Sequence, residues 1–308
     1  MSGLREGLDD YLALRRSLGY KLERTGTVLV DFVAYAEMAG STHVRTNVAV
    51  SWALRTINAE SRWRADRLGM VRGMARYLHA IDPAHEIPPK GLIPARRSRP
   101  TPFVYSDQEI VALMAASRGL RSPIQAATLE TVVGLLAASG LRVAEAIRLD
   151  DTDLDVDSQL LLVRTSKGGR SRLVPLDASV MDAVMAYVAV RDRAFSPRRS
   201  TSLFVSTVGR RLRSGNLGEA FRIVVALAGL GTTPAGRPPR LGDLRHSFAV
   251  RTLLGWHRDA RDVNALLPTL STYLGHVSPA STYWYLSASA ELLAAAAGRL
   301  EHESEERP

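Results

Sequence analysis

Five prolines fall within the sixteen residues "IPPKGLIPARRSRPTP", Ile87 to Pro102, and no other stretch of the 308-residue chain constrains its fold as strongly. Proline fixes φ, removes a backbone donor and clashes with the preceding turn, so neither a helix interior nor a central strand can pass through. The chain therefore divides into residues 1–87 and residues 103–300, each long enough for its own core. Residues 88–102 read as an extended linker, which Lys90, Arg96, Arg97 and Arg99 make basic. Residues 301–308, "EHESEERP", read as a charged tail.

The first part reads as helices. Leu8, Tyr11, Leu12, Leu14 and Leu18 recur at helical spacing and stop near Gly19. "TVLVDFVAYAEMAG" is a second such segment, closed by Gly40, and "NVAVSWALRTI" and "WRADRLGMVRGMARYLHAI" add two more. The fourth carries Arg64, Arg67 and Arg72 among apolar positions. Such a series is either a solvated face or a face that pairs with phosphate oxygens.

The second part opens at "YSDQEIVALM", where Ser106 and Glu109 have the spacing of a capping box. "IQAATLETVVGLLAAS" is nearly all apolar and reads as a central helix ending at Gly140. The runs "LLLVRTS" and "SRLVPL" alternate as strands do. Lys167-Gly168-Gly169-Arg170 between them signals a hairpin. "SLFVST" reads as a third strand, and helices resume from Leu217. The expected fold is mainly α: a helical N-terminal domain, then a mixed α/β domain with a small antiparallel sheet.

Bulk properties narrow the function. Hydrophobic residues make up 46% of the chain, too many for a disordered polymer. A net charge of +9 favours a polyanionic partner, nucleic acid before an anionic membrane surface. No amphipathic anchor supports the membrane alternative. The absence of cysteine excludes disulfide scaffolds, thiolate nucleophiles and cysteine-ligated zinc, and fits a reducing compartment. The first twenty residues carry charges throughout, unlike a signal peptide, and runs such as "LLAAAAG" are too short to span a bilayer. A soluble cytoplasmic protein is expected.

Several residues stand out chemically. Arg142 opens a helix after Gly140-Leu141, with Glu145 three residues on and apolar neighbours between them. The pair is either a surface ion pair or an oriented guanidinium. Lys167 sits at the hairpin tip. Arg245 and His246 lie in "DLRHSFAVRTLL" beside a buried face, where an arginine needs a fixed partner. His276 and Tyr285 are nine residues apart, about 13 Å along one straight helix. Ser278-Pro279 resets the chain between them and lets the two converge. Tyr283 and Tyr285 lie about 200° apart on that helix. Only one of them can face His276, and periodicity does not say which.

Taken in order, "SGLRVAEAIRLDDTDLD", "SKGGRSRLVPL", "DLRHSFAVRTLL" and "YLGHVSPASTYWYL" resemble the tyrosine recombinase (phage integrase) family, most closely its transposon-borne members. The resemblance covers about Phe103 to Leu300, and the helical first part matches that family's core-binding domain. It implies that Arg142 and Arg245 clamp the nonbridging oxygens of a scissile phosphate, supported by Glu145. It further implies that Lys167 protonates the leaving oxygen, His276 hydrogen-bonds the phosphate and Tyr285 is the nucleophile. Tyr273 and Tyr283 are then packing residues. Double-stranded DNA is the implied partner, with a homotetramer at synapsis and sister recombinases as further partners. No cofactor or metal is required.

One position departs from the family. Its second motif usually reads His-x-x-Arg, and here Gly242 replaces the histidine ahead of Arg245. His246 is nearby but reads as a structural histidine. Three outcomes are open: slower catalysis with water or His276 as base, a naturally disabled enzyme, or an engineered change. A catalytically impaired DNA-binding partner in a multi-recombinase complex is thus the alternative function, and a type IB topoisomerase-like relaxing enzyme a further one.

Overall fold

The computed structural model describes residues 3–55, 60–95, 101–164, 171–234 and 236–275. It forms two compact units, Met1–Arg99 and Pro100–Pro308.

The first unit holds helices α1 (Leu4–Ser17), α2 (Glu23–Met38), α3 (Thr46–Leu54) and α4 (Ser61–Ile81). Their apolar positions recur every three or four residues and meet in one core of Leu8, Leu29, Phe32, Trp52, Leu68, Val71 and Met74. Phe32 and Trp52 pack edge to face at 5.2 Å. The proline-rich stretch begins inside this unit. Arg72 of α4 donates from Nε and Nη2 to the carbonyls of Pro88 and Pro89, at 2.6 and 2.8 Å. The Ser61 hydroxyl donates to the Pro94 carbonyl, and Ile93 joins the core. Prolines lack donors, but their carbonyls still need partners, and α4 supplies them. The segment read as a linker from residue 88 is therefore tied to α4 as far as Pro94.

The second unit starts with α5 (Asp107–Ser117). Its capping box is formed: the Ser106 hydroxyl accepts from the Glu109 amide while the Glu109 carboxylate accepts from the Ser106 amide. Helix α6 (Pro123–Ser139) is apolar nearly all round and central, with Leu129, Val132, Val133 and Leu136 buried against α5, α8 (Ala178–Ala194) and α10 (Asp243–Arg258). Helix α7 (Val143–Arg148) and a single 3-10 turn at Asp151–Asp153 lead into an antiparallel sheet. Its strands, in the order β1 (Leu154–Asp155), β2 (Leu160–Val163) and β3 (Arg172–Pro175), place Leu161 opposite Val174 and Val163 opposite Arg172. Helices α9 (Ser214–Leu227) and α11 (Val263–Leu274) are the other helices of the unit among the described residues.

The third strand is not the one expected. "SLFVST" makes only isolated bridges, through Ser202 and Val205, and the third strand is Leu154–Asp155. The buried guanidinium of Arg191 donates to the carbonyls of Ser202 and Leu203.

Helices α10 and α11 share a small core of their own: Ala249, Val250, Leu253, Leu267, Leu270 and Leu274. This core fixes where α11 ends. Gly140 ends α6 at φ +62°, and a Cβ there would lie 2.5 Å from the Phe248 ring and 3.0 Å from a Leu274 methyl. Only glycine accommodates both the backbone angle and the approach of α10 and α11.

Candidate active site

The last turn of α11 is where the motifs meet. A helix C-terminus leaves carbonyls without intrahelical partners and carries partial negative charge. Here three successive carbonyls each accept from a different arginine. Arg172 Nε donates to Tyr273 at 2.9 Å, Arg245 Nη2 to Leu274 at 2.7 Å, and Arg142 Nη2 to Gly275 at 2.9 Å. Gly275 caps the helix in the left-handed region, φ +67°, and the next residue is His276.

Each arginine is held from a second direction. Arg245, 7% exposed on α10, donates Nη1 to the Gly140 carbonyl at 2.8 Å. Arg142, at the N-cap of α7, donates Nη1 to Glu145 Oε1 at 2.6 Å and its amide to Oε2 at 3.0 Å. Arg172 donates Nη1 and Nη2 to the two oxygens of the same carboxylate, at 3.1 and 2.8 Å. The Arg142–Glu145 pair is thus no surface ion pair, since the Glu145 side chain is only 3% exposed. Burial opposes ionisation of Glu145, but the hydrogen bonds from Arg172 and Arg142 outweigh it and hold the carboxyl at about 2. Three guanidiniums and one ionised carboxylate leave the cluster net positive by two charges, which suits it to an anion such as a phosphodiester.

Arg172 was not among the residues singled out by sequence. The signal was present: on β3, Arg172 shares a face with buried Val174, while Leu173 between them points outward. Strand alternation alone aims this arginine inward, where it needs a partner.

The other candidates are placed as follows. Gly242 stands immediately before α10, and a Cβ added there meets nothing within 4 Å. His246 is buried, and burial holds its imidazole down at about 4, so it is neutral near pH 7. Tyr273 is half-buried and stacks on Phe248 at 5.6 Å, and burial raises its phenol. In the first unit, Arg67 lies on neither of the two faces the sequence left open, the solvated one or the phosphate-pairing one. It is 7% exposed, ion-paired to Asp31 at 3.0 Å and stacked over Trp52 at 3.9 Å. Arg72 is engaged by the Pro88 and Pro89 carbonyls, Arg64 is half-buried and Lys90 is exposed. Lys167, Arg170, His276, Tyr283, Tyr285, Arg96, Arg97 and Arg99 lie outside the described residues.

Among the described residues, one group could ligate a metal: His43, Asp82 and His85, in the first unit, with ligand atoms within 4.8 Å of one another. These groups already pair internally. His43 Nε2 bonds the Asp82 carboxylate at 3.1 Å, and His85 Nδ1 accepts the Val44 amide at 3.0 Å.

Residues 104–291 match the model of the phage integrase family. The chain belongs to that family. Its four tyrosine recombinase motifs all fall within the matched span, and so do Arg142, Glu145, Arg172 and Arg245. A candidate integrase/recombinase of Sinorhizobium fredii, y4rB, is 40% identical over 100% of both chains. The tyrosine recombinase XerC of Mycobacterium bovis is 30% identical over 92% of this chain and 94% of its own. Among solved structures, the Tn1549 transposon integrase in complex with transposon right end DNA matches with a TM-score of 0.65, covering 98% of this chain and 99% of that one at 16% identity. A lambda integrase dimer bound to a COC′ core site matches with a TM-score of 0.62, covering 92% and 77% at 18% identity. Both share the phage integrase fold seen here: mostly helical, with a small antiparallel sheet.

Proposed function

We propose that this phage integrase family member is a site-specific DNA strand transferase that uses Tyr285 as its nucleophile. The reading is carried by the convergence of Arg142 and Arg245, from two different helices, on the turn that leads into His276. In this reading the two guanidiniums neutralise the nonbridging oxygens of the scissile phosphate, which otherwise repels an attacking oxygen. The Tyr285 oxygen attacks phosphorus, the bond from phosphorus to the 5′ oxygen breaks, and Lys167 gives that oxygen its proton. The 3′-phosphotyrosyl bond stores the energy of the broken strand, so a new 5′ hydroxyl can reverse the step without ATP. His276 hydrogen-bonds the phosphate.

The proton of Tyr285 has no side-chain acceptor at Gly242, so water takes it. Losing a general base costs about 10²- to 10⁴-fold in rate. Two duplexes and four cleavages make a recombination event, so in this reading the working assembly is a tetramer, and the resemblance of the motifs to transposon-borne integrases supports a role in moving an element. A second reading, a DNA-binding partner without activity, is favoured by the same glycine.

Covalent trapping separates the two. Nicked duplexes from the DNA flanking the gene are incubated with wild type, Tyr285→Phe and Gly242→His, and resolved on denaturing gels. The strand-transferase reading expects an adduct with wild type, none with Tyr285→Phe, and faster formation with Gly242→His, whose Cβ would meet nothing within 4 Å. An adduct only with Gly242→His supports the inactive partner. An adduct that persists in Tyr285→Phe removes Tyr285 as nucleophile.

A further inference from the structure

We infer that Arg172 is a positioning residue for strand cleavage, which holds Glu145 and the end of α11 so that Arg142 stays oriented and electrically available to the scissile phosphate. The inference rests on the reading of Arg142 as a phosphate ligand and deepens it.

Charge gives the first reason. Glu145 alone would cancel Arg142, leaving that side of the site neutral where an anion must bind. Arg172 offers a second guanidinium to both oxygens of the same carboxylate. Glu145 is then shared, and the trio keeps one net positive charge. In a buried, low-dielectric setting that difference is felt strongly by an approaching phosphate.

Connectivity gives the second. Arg172 begins β3, five residues after Lys167, and reaches two other segments. Its fork grips Glu145 on α7, and its Nε grips the Tyr273 carbonyl on α11. One side chain therefore links β3, the helix that orients Arg142 and the last turn of α11. The guanidinium also packs against Gly275, where an added Cβ would lie 3.1 Å from Nη1. Its side chain is 13% exposed, so water does not compete freely for these donors. Lysine offers one point charge where three donors in a planar fork are used here.

The test compares wild type, Arg172→Gln, Arg172→Lys, Glu145→Gln and the Arg172→Gln/Glu145→Gln double variant. Single-turnover adduct formation and the dissociation constant are measured on the nicked duplex described above, and folding is checked by thermal unfolding. Arg172→Gln is expected to slow adduct formation about 10²-fold while affinity stays within about threefold. Arg172→Lys recovers only part of the rate. In the Glu145→Gln background the effect of Arg172→Gln shrinks, because part of it runs through the contact between the two. Strictly additive losses, full recovery with lysine, or a loss confined to affinity would each overturn the proposal. A second measurement needs no cleavage. Carbon-13 NMR follows the Glu145 carboxyl, which rises from about 2 toward its ordinary 4.5 in Arg172→Gln. A carboxyl that does not move sinks the proposal, and Arg172→Lys supplies both comparisons if Arg172→Gln does not fold. A wild type that forms no adduct removes the strand-transfer reading, and the Glu145 titration then tests separately whether Arg172 holds Glu145 and keeps Arg142 available to an anion.

Discussion

Gly140 shows how much one residue can be asked to do. Its carbonyl accepts from Arg245, its φ is positive, and its missing side chain admits Phe248 and Leu274. Gly140→Ala combines left-handed strain with overpacking, and is expected to destabilise the second unit by about 2 to 4 kcal/mol. Urea unfolding followed by far-UV circular dichroism measures this; a loss under about 1 kcal/mol would mean that the α10–α11 pair yields easily. At this scale the sequence was partly legible. Arg142 with Glu145, and Arg245 beside an apolar face, announced that they needed fixed partners. Which partners could not be read, because Gly140 and Leu274 reach Arg245 only through tertiary packing across 105 and 29 residues of chain. Arg67 misled for a related reason. Its spacing fitted a basic face equally well, and only Asp31 and Trp52, from other helices, turn it inward.

Elements formed where several local signals agreed. The capping box of α5, the nearly all-apolar α6 with its terminal glycine and the alternating runs of β2 and β3 each carry a clear pattern, and the box, the helix and the antiparallel strand pair are present. "SLFVST" had pattern alone and forms only isolated bridges, with Arg191 donating to two of its carbonyls. The α10–α11 pair has its own small core, apart from the main one. Leu270→Ala is therefore expected to cost about 2 to 5 kcal/mol and to act locally. Native-state hydrogen exchange should quicken at α11 amides by roughly 30-fold or more, with little change in α6. Equal acceleration in both helices would instead make them one cooperative unit.

Across the whole molecule, buried titratable groups set the pH range of stability. His246 is held at about 4 by burial, against an ordinary 6.5, and His85 is lowered in the same direction by burial and by His43. As pH falls below about 6.5 the unfolded chain takes up these protons before the native one does, so stability, complete above 6.5, declines toward pH 4. Glu145 acts in a lower window. Its folded value of about 2 lies below the ordinary 4.5, so its contribution is complete above 4.5 and is lost as pH falls toward 2. Urea midpoints at pH 8, 5.5 and 3.5 should fall in that order, and His246→Gln should flatten the second unit's share of the first step. A midpoint that rises on acidification would contradict the sign of these shifts.

The arginines at the end of α11 land on backbone carbonyls, not on side chains. Lineages can therefore exchange amino acids at positions 273 and 274 without untying those bonds, within what Phe248 and the small core tolerate. A single inserted or deleted codon in the same stretch is another matter. It would rotate the three acceptors by about 100° each and break the α11 bond of all three guanidiniums at once. Drift in composition is permitted there, and drift in chain length is not.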